Sequence, residues 1–98
     1  MANQGVHSFL DASTGLLENA DMKILTALAN DVDVRGPRVL AHEYGWWVNV
    51  STDLFKEILA ECRKLGLSEK FERIYRYAHE NGCWWINLDA DAEMLDLG

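Results

Sequence analysis

Two strand-like phrases constrain this chain more than any other feature. Gly45-Trp46-Trp47-Val48-Asn49-Val50 is echoed by Gly82-Cys83-Trp84-Trp85-Ile86-Asn87-Leu88, and together they hold all four tryptophans. Side chains along a strand alternate between the two faces of its sheet. Trp46, Val48 and Val50 therefore share one face, and Trp47 and Asn49 share the other. In the second phrase Trp84, Ile86 and Leu88 oppose Trp85, Asn87 and Asp89. If the two strands are neighbours, one face is apolar and the other carries two indoles, two amides and a carboxylate. That second face is the candidate binding surface.

The remaining sequence alternates between strand and helix signals. Residues 6–12 read as a first strand, with Leu10 on one side and Phe9 and Asp11 on the other, broken by Ser13-Thr14-Gly15. Asn19 or Asp21 can cap a helix with the stripe Ile24, Leu25, Leu28 and Ala29. Residues 31–37 hold the only proline and form a loop, and residues 38–41 form a short strand. His42-Glu43-Tyr44-Gly45 then makes a hairpin-like connection into the first tryptophan strand.

Ser51, Thr52 and Asp53 are candidate caps for a helix with Leu54, Phe55, Ile58, Leu59, Cys62 and Leu65 at helical spacing. Gly66 is a natural stop. Ser68 caps a further helix with the stripe Phe71, Ile74, Tyr75 and Ala78, which ends at Asn81-Gly82. The acidic tail after Leu88 is a short extra strand, a docked turn or a fraying end. The order is β-α-β-β-α-α-β. It predicts one small α/β (α+β) domain over residues 1–98, a two-layer sandwich with a mixed sheet and helices mainly on one face. Strands joined by a helical crossover are normally parallel, so the tryptophan strands are expected to run parallel. Three arrangements stay open for the indole and amide face: exposed, packed under the helices, or covered by a second copy.

Charge narrows the function classes. Sixteen acidic residues against nine basic ones give a net charge of −7. Phosphate affinity depends on Lys and Arg, so direct nucleic-acid binding is not expected. An acidic surface attracts basic protein surfaces instead. No apolar stretch reaches the roughly 20 residues of a membrane span, and the N-terminus lacks a signal-like pattern. Two cysteines, Cys62 and Cys83, are too few for a disulfide framework, and a cytoplasmic location is expected.

Several of these segments together resemble an uncharacterised family of small bacterial proteins found on plasmids, phages and integrated elements. They are Ser13-Thr14, Tyr44-Gly45-Trp46-Trp47-Val48, and the run from Ala78-His79-Glu80-Asn81-Gly82-Cys83 through Trp84-Trp85-Ile86-Asn87-Leu88-Asp89-Ala90-Asp91. The resemblance implies a small α/β fold and a mobile-element setting. It supplies no catalytic residues.

The chemical motifs are sparse, and no catalytic residue, metal or cofactor is expected. Asp89, Asp91 and Glu93 alternate and could ligate Mg²⁺ or Ca²⁺, but read more simply as a solvated acidic strand end. His79 and Cys83 could pair as a thiol nucleophile, and no GxSxG or phosphate-binding glycine loop is present. Arg63, Lys64, Lys70, Arg73 and Arg76 cluster in the helical pair, interleaved with Glu69, Glu72 and Glu80 as on a solvated helix face.

The leading expectation is an acidic interaction module that acts stoichiometrically. Its form would be a counter-defence inhibitor of anti-CRISPR or anti-restriction type, occupying the basic surface of a nucleic-acid-handling effector as a DNA mimic. Trp47, Asn49, Trp85, Asn87, Asp89, Asp91 and Glu93 are its expected partner-binding residues, and Asp31, Asp33, Glu57 and Glu61 are further outward carboxylates. The alternatives are a non-catalytic module that dimerises through its sheet, and a small thiol- or metal-dependent enzyme.

Overall fold

The computed structural model of the chain describes residues 8–31 and 33–94. Val6 and His7 of the expected first strand, and residues 95–98 of the tail, lie outside these. The elements are β1 (Phe9–Ser13), a 3₁₀ turn (Thr14–Leu16), α1 (Asn19–Asn30), β2 (Val39–His42), β3 (Gly45–Asn49), α2 (Phe55–Leu65), α3 (Glu69–Glu80) and β4 (Trp85–Asp89). Their order is the one that the sequence predicts. They build one four-stranded mixed sheet, β1-β4-β3-β2, in which β1 and β4 are parallel and the other two pairs antiparallel.

The two tryptophan strands, β3 and β4, are neighbours, but they run antiparallel rather than parallel. The crossover rule holds when a single helix returns the chain to the end of the sheet where the first strand began. Here two helices of 11 and 12 residues intervene and form a helical hairpin. The chain is thereby delivered to the end where β3 finished, and Asn49 pairs with Trp85. An even number of helices reverses the strand.

Local chemistry sets the helix boundaries. Glu18, not Asn19 or Asp21, is the N-cap of α1, and Asp21 is a fully buried residue of its first turn. Its Oδ2 accepts from the Glu18 backbone N–H (2.9 Å) and from Ser68 Oγ (2.5 Å), while Oδ1 accepts from the Ser68 N–H (2.8 Å). One carboxylate therefore ties the start of α1 to the start of α3. Of the three candidate caps before α2, Ser51 accepts from the Leu54 N–H (3.0 Å). Gly66 closes α2 at φ +92, and the Leu67 N–H donates back to the Cys62 carbonyl (3.1 Å), an arrangement that favours glycine. Ser68 caps α3 through the Phe71 N–H (3.3 Å).

The helices cover one face only. Leu25, Leu59, Cys62, Phe71, Ile74, Tyr75 and Ala78 bury themselves against Ala12, Val39, Val48, Ile86 and Leu88 of the sheet. Burial of each large apolar side chain contributes about 1.5–3 kcal/mol. Trp46 packs at the edge of this core, whereas Trp84, placed by alternation with Ile86 and Leu88, precedes β4 and is exposed. No helix among the described residues is long and apolar enough to cross a membrane.

Candidate interaction site

Among the described residues, no element covers the face of the sheet turned away from the helices. Alternation places Phe9 and Asp11 of β1, Trp85, Asn87 and Asp89 of β4, Gly45, Trp47 and Asn49 of β3, and Leu40 and His42 of β2 on that side. Phe9 is 52% and Leu40 46% exposed, whereas Val48, Ile86 and Leu88 on the opposite face are at 0%. Of the three arrangements open to the sequence, burial of the indoles beneath the helices is thus ruled out. The indoles of Trp47 and Trp85 are half-buried against one another and their neighbours.

The pairing register sets these side chains in rows. Phe9, Trp85 and Asn49 form one row, and Asp11, Asn87, Trp47 and Leu40 the next. Ser13, Asp89, Gly45 and His42 form the third. The Phe9 and Trp47 rings meet edge to face at 5.3 Å, as do Trp47 and Trp85 at 6.5 Å. Such perpendicular contacts suit the quadrupoles of aromatic rings. Together with Leu40 the three rings enclose a shallow basin of about 340 Å³.

Beside the basin runs a chain of hydrogen bonds. The Tyr44 backbone N–H donates to His42 Nδ1 (3.2 Å), so the ring proton sits on Nε2 and is donated to Asn87 Oδ1 (2.8 Å). Asn87 Nδ2 in turn donates to Asp11 Oδ1 (2.9 Å). His42 belongs to β2 and Asn87 to β4, so the imidazole passes over β3 where Gly45 has no side chain. Asn49 Nδ2 donates to the Trp84 carbonyl (3.2 Å), which orients its Oδ1 as an acceptor.

Five of the seven expected binding residues (Trp47, Asn49, Trp85, Asn87 and Asp89) thus meet on this face. Asp91 and Glu93 lie beyond β4, exposed, in a turn where Asp89 Oδ1 accepts from the Asp91 N–H (2.8 Å). Asp31, Asp33 and Glu57 are also exposed, whereas Glu61 is half-buried beside Arg35 and Lys64. Phe9, Leu40, His42 and Asp11 complete the site and were not among the expected residues. Alternation assigned Phe9 and Asp11 a face, but only the strand order shows that they flank Trp85 and Asn87.

The other chemical candidates do not assemble. Burial pushes the Cys62 thiol up to about 12 and also raises that of Cys83, the opposite of an activated nucleophile. His79 stacks on Phe55 with ring centroids 3.8 Å apart, and no hydrogen bond joins it to Cys83. Among the described residues no three His, Cys, Asp or Glu side chains converge as metal ligands.

The basic cluster on the helices is largely neutralised at home. Glu72 accepts from Arg63 at two atoms (2.9 and 2.8 Å) and from Arg76 Nε (3.0 Å), and Lys70 reaches Glu18 (3.3 Å). The hydrogen bond from Arg63, chiefly, holds the Glu72 carboxyl down at about 2. A carboxyl depressed in the folded state contributes stability that is complete above its unfolded value of about 4.5 and is lost as pH falls toward about 2. Glu72→Gln should therefore cost about 1 kcal/mol at neutral pH. The difference between variant and wild type should vanish across that acid window, as read from urea midpoints at stepped pH.

Fold and face together define a class: small α+β domains whose helices cover one side of a sheet and leave an aromatic, acidic side bare. The chain belongs to a family of unknown function, DUF5983, whose C-terminal domain model matches residues 9–97. No curated protein and no solved structure matches it.

Proposed function

We propose that this chain is a protein-interaction module that applies its open sheet face to a basic surface of a partner protein and acts by occupancy, without turnover. The observation that carries this reading is the Phe9, Leu40, Trp47 and Trp85 cluster, left bare by helices that cover the other side. Contiguous exposed apolar patches mark interaction sites, and tryptophan is enriched among residues that dominate binding energy.

Charge indicates the kind of partner. None of the nine Lys and Arg residues lies within a strand, and seven of them lie on the helices. Asp11 and Asp89 give the sheet face the opposite sign. Aromatic sheets also serve as stacking platforms for bases, but those sites pair their rings with cations that hold the phosphates. A second copy would bring two acidic faces together. A basic protein surface suits both the rings and the carboxylates. The narrower form, a mobile-element inhibitor of anti-CRISPR or anti-restriction type that occupies a basic nucleic-acid-binding surface of a host effector, is supported by the net charge of −7.

The test is affinity capture from bacterial lysate containing CRISPR and restriction effectors, with wild type and two variants compared. Wild type and Tyr77→Ala, altered on exposed α3, should retain one stoichiometric partner. Trp47→Ala/Trp85→Ala should lose it by about 100-fold or more. Equal capture by the double variant would refute the proposal, and recovery of the chain alone with itself would replace it with homodimerisation.

A further inference from the structure

We infer that the basin formed by Phe9, Leu40, Trp47 and Trp85 receives a single arginine side chain of the partner, its guanidinium on the aromatic faces and bonded to Asp11. This inference rests on the interaction reading above and specifies the chemistry that the face recognises.

At about 340 Å³ the basin suits one long side chain better than a folded ligand. Its rings meet edge to face, 73° between Phe9 and Trp47 and 90° between Trp47 and Trp85. Each such contact uses the face of only one ring, so π-faces remain for an incoming group. A cation within about 6 Å of such a face is attracted by the ring quadrupole.

The polar groups near the basin include a carboxylate with one oxygen left over as an acceptor. Asp11 is two positions along β1 from Phe9 and diagonal to Trp85 across the parallel strand pair. Asn87 fixes Asp11 through Oδ1, and Oδ2 has no hydrogen-bond partner among the described residues. Asn49 Nδ2 is engaged by the Trp84 carbonyl. The one cation of the chain that the register brings to this side is Arg38, which precedes β2 in the alternation of Leu40 and His42; its carbonyl accepts from the Asn49 N–H (2.9 Å), so its side chain stands beside Asn49 and not beside Asp11. A ring-lined basin with a carboxylate two positions along β1 from its Phe9 suits a flat cation that reaches both, rather than a purely apolar side chain. Arginine fits better than lysine because its guanidinium is planar, stacks on aromatic faces, is more weakly hydrated and can bond a carboxylate through two N–H groups.

The experiment titrates the full chain with capped, extended pentapeptides that differ only in a central Arg, Lys, citrulline or Leu. Oligo-dT serves as a further probe, and the four indole Nε1–H resonances are followed by NMR. The Arg peptide should move the Trp47 and Trp85 signals and bind about tenfold tighter than the citrulline peptide, which keeps the shape but not the charge. Asp11→Asn, an exposed change, should weaken the Arg peptide about tenfold and leave the citrulline peptide unaffected. Equal shifts with citrulline, tighter binding of the Leu peptide, stronger shifts with oligo-dT, or no movement of Trp47 and Trp85 would each overturn the inference. The two proposals fail separately. A captured partner lost in Trp47→Ala/Trp85→Ala but kept by Asp11→Asn leaves the interaction reading standing and removes the arginine. A partner kept by the double variant removes the interaction reading itself.

Discussion

Asp21→Ala should destabilise the chain by about 3–5 kcal/mol, a large share of the roughly 5–15 kcal/mol available to a domain. The Asp21 carboxylate is fully buried and accepts three hydrogen bonds: from the Glu18 N–H, the Ser68 N–H and the Ser68 hydroxyl. It sits where two helices begin, and the positive ends of both helix dipoles favour its charge. Alanine would leave the part-buried donors at both helix starts without their acceptor and loosen the joint between α1 and α3. Asp21→Asn keeps the shape but sets an amide NH₂ against one of those donors, and should cost about 2 kcal/mol. Urea denaturation followed by circular dichroism measures both, and an Ala variant with the wild-type midpoint would contradict the account.

A single methyl group at Gly45 should be nearly as damaging. A Cβ built there falls on the backbone carbonyl of Leu88 in the neighbouring central strand. Backbone in the middle of a paired sheet cannot swing aside as a flexible side chain can. Gly45→Ala must therefore push β3 and β4 apart, at a cost of about 3 kcal/mol or more. The functional effect should exceed the loss of stability. Gly45 lies in register with Asp89 and His42, at the end of the sheet where His42 bonds Asn87 across β3. Separation of these strands would break that bond and part Trp47 from Trp85. The variant should show a lowered urea midpoint and, under conditions where it remains folded, altered indole resonances for both tryptophans. An unchanged midpoint would show that the strands approach less closely than described.

Much of this architecture is legible in the sequence because it depends on short-range periodicity. Alternation alone separated Trp47, Asn49, Trp85 and Asn87 from Val48, Ile86 and Leu88, and the structure keeps that division. Gly66 and Ser68 announce the turn between α2 and α3 through local chemistry. What escaped is non-local. The strand direction depended on an even number of helices between β3 and β4, to which a rule about single crossovers does not apply. Asp21 resembled a helix cap because its partner Ser68 lies 47 positions away. The His42–Asn87–Asp11 chain joins three strands and crosses the fourth, and nothing in any one strand announces it. Phe9 and Leu40 looked ordinary until the order β1-β4-β3-β2 set them around two indoles.

The central claim is that a partner lands on the open sheet face, and hydroxyl-radical footprinting of the captured complex tests it most directly. Oxidation of Phe9, Trp47 and Trp85 should fall several-fold on binding, while exposed Tyr77 on α3 continues to react as in the free chain. Protection of Tyr77 with undiminished oxidation of Trp47 and Trp85 would place the partner on the helices and contradict the account.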